Sequence, residues 1–141
     1  MKNLIETVTL GFGGIGGVLG LLFGELDGSL YALVVFVIAD YFTGVMNAIS
    51  EKKISSDVGA DGISKKICIF VLVAIANIVD VNILNSGAAV RTAVIFFYLS
   101  NEGISVLENA VKLGLPVPEK LRDVLLKINE EGSDDDKNTI Q

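Results

Sequence analysis

The run Ile67-Cys68-Ile69-Phe70-Val71-Leu72-Val73-Ala74-Ile75-Ala76-Asn77-Ile78-Val79-Asp80-Val81-Asn82-Ile83-Leu84 decides the fold. At about 1.5 Å per helical residue it reaches roughly 27 Å, close to the thickness of a bilayer's hydrocarbon core. Three further apolar stretches surround it, at about 7–24, 30–50 and 88–109. They leave a chain of 141 residues that is 51% hydrophobic, with a mean hydropathy of +0.60, no Trp and no His. A soluble domain of this size has too little interior to hide that load. The expected fold is therefore all-α, an integral membrane helical bundle over 1–115. It has four predicted transmembrane helices, with three as the alternative because stretch 7–24 is the shortest and could lie in the interface.

Charge sets the expected orientation. Lys52, Lys53, Lys65 and Lys66 flank the connection between the second and third stretches, which places that connection in the cytoplasm. Threading four spans through it puts Lys2 and the basic residues from Lys112 onward on the same side, leaving Arg91 alone opposite among the 11 basic residues. Lys2 before the first stretch also fits a signal peptide, but Glu25 and Asp27 lie where a small-residue cleavage site belongs, so the stretch is kept as part of the bundle. The predicted location is a bacterial cytoplasmic membrane, multi-pass, with a cytoplasmic C-terminus.

After the fourth stretch Leu115-Pro116-Val117-Pro118 stops the helix, and 116–130 is predicted as an amphipathic cytoplasmic helix with Pro118 at its first turn. Leu121, Val124, Leu125 and Ile128 fall on one stripe, which must dock on the membrane surface, a neighbouring subunit or its own bundle. Residues 131–141 hold Glu131, Asp134, Asp135 and Asp136 and are expected to form a disordered acidic tail. The formal charge of −6 is read as this solvated tail, and no nucleic-acid partner is expected.

Catalytic chemistry has little to build on. Cys68 stands alone and there is no His, so neither a disulfide, a Cys-based zinc site nor a Ser–His pair is available, and no catalytic residue, cofactor or metal is expected. Asp40 and Asp80 resemble an intramembrane aspartyl dyad, but no glycine-rich segment frames Asp80 for a substrate backbone. Gly11-Phe12-Gly13-Gly14-Ile15-Gly16 matches a dinucleotide fingerprint without the strand that must precede it. A lipid-side reading suits these glycines better. Gly13, Gly16, Gly17, Gly20 and Gly24 form overlapping GxxxG pairs that let helices approach closely, with Gly44 a further small residue in the second span.

Ionisable residues inside spans are costly, roughly 2.5–3.5 kcal/mol each at a helix centre, and should face away from lipid. Asp40, Thr43, Gly44 and Asn47 share one wedge of the second span. Asn77 and Asp80 lie one turn apart in the third. Arg91, Tyr98, Glu102, Ser105 and Asn109 form a polar stripe along the fourth. Asn101 and Glu108 flank that stripe. The candidate pore-lining or assembly residues are thus Asp40, Asn47, Asn77, Asp80, Arg91, Asn101, Glu102, Ser105, Glu108 and Asn109. They could form an interior network, a pore wall or an ion site.

Several pieces are also familiar as a set: Asp40-Tyr41-Phe42-Thr43-Gly44, Val58-Gly59-Ala60-Asp61-Gly62-Ile63-Ser64-Lys65-Lys66, Asn77-Ile78-Val79-Asp80, and Asn101-Glu102-Gly103-Ile104-Ser105-Val106-Leu107-Glu108-Asn109 followed by Gly114-Leu115-Pro116-Val117-Pro118. In these the chain resembles the phage holins of the toxin secretion and phage lysis type, the group that includes clostridial toxin-release holins. The resemblance implies a homo-oligomer in contact with membrane lipid. It also implies lesions in the host membrane that release an endolysin, or in toxin loci a toxin. An antiholin of the same fold, a small channel or transporter, and a membrane anchor for a partner are the competing readings.

Overall fold

A computed structural model of the chain describes residues 1–139, with side chains described through Glu131, and all of its regular structure is helical. Helix α1 (Lys2–Phe23) leads through a turn to α2 (Gly28–Ser50), then α3 (Ser56–Val79), which runs on into a π-helical turn, Asp80–Leu84; α4 (Ala89–Lys112) and α5 (Glu119–Thr139) follow. Each boundary has a local cause. Gly24 ends α1 in the left-handed region at φ 76, and the Asp27 carboxylate opens α2 by accepting the Leu30 amide at 2.9 Å. Ser55 caps α3 in the same way through Val58. Gly114, with φ 86, and Pro116 and Pro118 separate α4 from α5.

The packed centre is an α2–α3–α4 bundle. Leu30, Leu33 and Val37 of α2, Ile69 and Val73 of α3, and Ile95 and Leu99 of α4 form its core. Arg91 at the start of α4 meets Asp27 at the start of α2, and Asn109 near the end of α4 meets Asn47 near the end of α2, so these two helices run parallel and level. Helix α1 stands apart. None of its residues is buried, and it touches α3 near its own C-terminal end, where Phe23 meets Phe70 edge to face.

Among the described residues three helices are long and apolar enough to cross a bilayer: Lys2–Phe23, Gly28–Ser50 and Ser56–Leu84. The first stretch, whose crossing the sequence left open, is among them. The helix that falls short is α4, of 24 residues, because Arg91, Asn101, Glu102, Glu108 and Asn109 dilute its apolar content.

Two further boundaries differ from expectation. The basic connection is shorter than read: α3 begins at Ser56, so Lys65 and Lys66 lie inside a helix. Helix α5 begins at Glu119 and its backbone stays helical to Thr139, through most of the stretch expected as a disordered tail. The rest of that stretch, Ile140 and Gln141, lies outside the described residues. No proline interrupts the segment after Pro118, which lets the helix continue.

Candidate functional site: two polar clusters in an apolar bundle

The polar residues of the spans gather into two clusters, one at each end of the apolar core. The first lies midway along α2. Asp40, buried on the α4 side of α2, and Glu102 of α4 both accept from the Lys66 ammonium of α3. Asn109 extends the set, donating to Asp40 at 3.1 Å and to the Thr43 hydroxyl at 3.0 Å. Asn47 in turn donates to Asn109. One ammonium thus serves two carboxylates from two other helices, where neither carboxylate could face lipid without a large penalty. A cavity of about 570 Å³ opens beside this cluster, lined by Tyr41, Gly44, Ser105 and Asn109 among others.

The second cluster closes the opposite end. Asp80, wholly buried, accepts the Ser86 hydroxyl at 2.6 Å and the backbone amides of Val90 and Arg91 at 3.1 and 2.7 Å. It therefore caps the N-terminus of α4 from the preceding helix, an anion placed where the helix dipole and the free amides favour one. The Arg91 side chain, 3% exposed, donates to the carbonyls of Phe23 and Glu25, both at 2.6 Å, and to the Asp27 carboxylate at 2.8 Å. Asn77 donates to the Leu21 and Leu22 carbonyls at the end of α1. The Leu30 amide first, then Arg91 and Ser29, hold the Asp27 carboxyl well below the usual carboxylate range.

The sequence candidates divide accordingly. Asp40, Asn47, Glu102 and Asn109 come together in the first cluster, with Ser105 on its cavity. Asn77, Asp80 and Arg91 meet in the second, apart from Asp40, so the two aspartates form no dyad. Glu108 is exposed and Asn101 half-buried. The stripe along α4 is not continuous, since Ile95 and Leu99 of the core lie between Arg91 and Glu102. Lys66, at the heart of the first cluster, reads in the sequence as a loop charge. The signal that could have found it is its spacing, three residues before Ile69 and seven before Val73, on the face that α3 buries.

The glycines also divide. A Cβ on Gly11, Gly13, Gly14, Gly16, Gly17 or Gly20 would meet no atom within 4 Å, so the glycine face of α1 is unused inside the protomer. Gly24 does not belong to that face: its φ is +76, and a Cβ there would lie 2.7 Å from Asn77 Oδ1. Gly44 is in ordinary contact distance of Asn109.

The family model described as bacteriophage holin family matches residues 17–130. An uncharacterised Listeria innocua protein is 44% identical over 97% of this chain and 95% of its own length. A 14.9 kDa Clostridium perfringens protein, described by its place in the nagH 3' region, is 39% identical over 92% of this chain and 98% of its own. A Bacillus phage phi105 protein described as a probable holin is 34% identical over 84% of each. No solved structure matches.

Proposed function

This chain belongs to the bacteriophage holin family, and on that premise we propose that its copies associate in a bacterial cytoplasmic membrane and open lesions through which an endolysin, or in some loci a toxin, leaves the cytoplasm. The observation that carries the reading is α1: 22 residues, apolar enough to cross a bilayer, only Phe23 at its end partly buried in its own protomer, and its glycines open. Lipid offers an apolar helix no hydrophobic reason to associate, whereas a small-residue face gains dispersion contacts when a matching face reaches it. A second copy of α1 is the matching face that this chain itself supplies.

The two polar clusters serve the other half of the task. Asp40, Lys66 and Glu102 tie three helices together without presenting charge to lipid, so each copy can reside in the membrane as a closed bundle until enough copies meet. Asp80 fastens the start of α4 to the end of α3, and Arg91 fastens it to the turn between α1 and α2, with Lys52 and Lys53 of the opposite connection toward the cytoplasm.

Inducible expression of the full chain in bacteria, with and without a cytoplasmic endolysin, tests this. Abrupt depolarisation is expected from the chain alone, and lysis only when the endolysin is present. An undisturbed membrane at high expression would sink the lesion reading in favour of an antiholin or an anchor.

A further inference from the structure

Helix α5 packs where a membrane helix of its composition has no ordinary place. It runs antiparallel along α4: a Cβ on Gly103 would lie 3.0 Å from the Leu125 methyls, and the Ser100 hydroxyl donates to the Asn129 side-chain carbonyl at 3.3 Å. Leu125 is 6% exposed in that groove, and Ile128 and Asn129 are half-buried beside it. Ser100 is near the midpoint of α4, and α4 lies level with the spanning helix α2. Docked in this way, α5 is carried to the middle of the bilayer.

Its other side is charged. With Leu125 set toward α4, the positions of Lys120, Asp123, Lys127 and Glu130 fall within about 80° of one another on the opposite side of α5, at 100° per residue. All four are exposed. Facing acyl chains near mid-depth, Lys127 and Glu130 each cost roughly 2.5–3.5 kcal/mol, and Asp123 and Lys120 add a smaller cost nearer the start of α5. Water must therefore meet that face, and a lone bundle in lipid has none there.

Resting on the lesion reading above, we propose that α5 is docked along α4 in the assembled state and that its Lys120, Asp123, Lys127 and Glu130 face forms the wall of the water-filled lesion. The carboxylates of Asp40 and Glu102 stay inside the protomer in that arrangement. The wall carries both signs of charge, so the lesion should discriminate weakly between small cations and anions.

The test is a cross-link in the full chain. In a Cys68→Ala background, Ser100→Cys and Asn129→Cys are joined by a short bis-methanethiosulfonate reagent in induced cells, and membrane potential is followed with and without reductant. A further chain in that background, with Lys127→Cys alone, carries a nitroxide whose collisions with a water-soluble relaxant are compared with those of oxygen. Intramolecular cross-linking, depolarisation within twofold of the reduced protein, and relaxation at position 127 dominated by the water-soluble agent are the expected results. Three results would each overturn the proposal: cross-linked protein that no longer depolarises, depolarising membranes in which the pair never cross-links, and oxygen-dominated relaxation at position 127. If the Cys68→Ala chain itself never depolarises, the lesion reading fails first, and this inference falls with it.

Discussion

Helices α1 and α4 are almost equal in length, 22 and 24 residues, and opposite in everything else. The apolar one buries no residue. The polar one is the hub of the bundle, burying Arg91, Ile95, Leu99, Ser100, Glu102 and Gly103 against its neighbours. In water the order would be reversed, because burial there follows hydropathy. In lipid an apolar surface is already at home, and what drives a helix inward is its need for hydrogen-bond partners and close contact. Hydropathy identifies the helices that enter the membrane. Polarity identifies the one that the others surround.

The strongest way to break this comparison is to remove the ammonium that makes the polar centre tolerable. Lys66→Met leaves Asp40 and Glu102 facing each other unpaired, and losing one side of a buried ion pair costs about 3–5 kcal/mol. Helicity of the purified chain during denaturant unfolding in detergent should show a loss of that size, and an unchanged midpoint would mean the cluster does not hold the three helices together.

A smaller effect is expected where α1 joins the hub. Gly24→Ala forces a left-handed φ on a residue with a side chain and drives its Cβ into Asn77 Oδ1, at a cost of about 1–3 kcal/mol. Limited proteolysis should then cut between α1 and α2 faster, while the core transition of α2, α3 and α4 keeps its cooperativity. Equal protection of that turn in both proteins would show that Asn77 and Arg91 do not clamp it.

Next in size is Asp27→Asn, which keeps a cap for α2 but gives up the charge facing Arg91. The Asp27 side chain is 41% exposed, so solvent screens the pair and the loss should be about 1 kcal/mol or less. Its carboxyl is depressed in the folded chain, so the stabilisation is fully present above the unfolded value and is lost only as pH falls through the lower folded value. The stability difference between the unsubstituted chain and the Asp27→Asn variant should accordingly stay flat from about pH 8 to pH 5 and shrink only in stronger acid. A difference that already closes near neutrality would rule out a depressed carboxyl.

Most of the helices were legible because runs such as Ile67–Leu84 and the Leu115–Pro118 break are local signals. The clusters were only half legible. Asp40, Asn77, Asp80, Arg91, Glu102 and Asn109 announce themselves as polar residues in apolar runs, but which of them meet depends on helix register and on the level pairing of α2 with α4. Lys66 hid because a lysine next to Lys65 at the edge of a span reads as a cytoplasmic anchor. Asp80 gave no sign of its partners, since the amides it caps lie beyond a π-helical turn that no local pattern marks. The docking of α5 depends on Gly103, a glycine that within its own helix reads only as a weak former.

The smallest expected effect on the protomer is the most informative one for the comparison. Gly13→Leu and Gly17→Leu add bulk where a Cβ meets nothing within 4 Å, so the unfolding midpoint of the isolated bundle should move by no more than about 0.5 kcal/mol. If α1 is the helix kept free for another copy, those substitutions should nonetheless abolish cross-linked oligomers in membranes and delay depolarisation. Ile15→Ala, on the same helix but on the side opposite Gly13 and Gly17, should leave oligomers in place. Oligomers that survive leucine at both glycines would move the contact between copies to another surface, and α1 would then be a membrane anchor and nothing more.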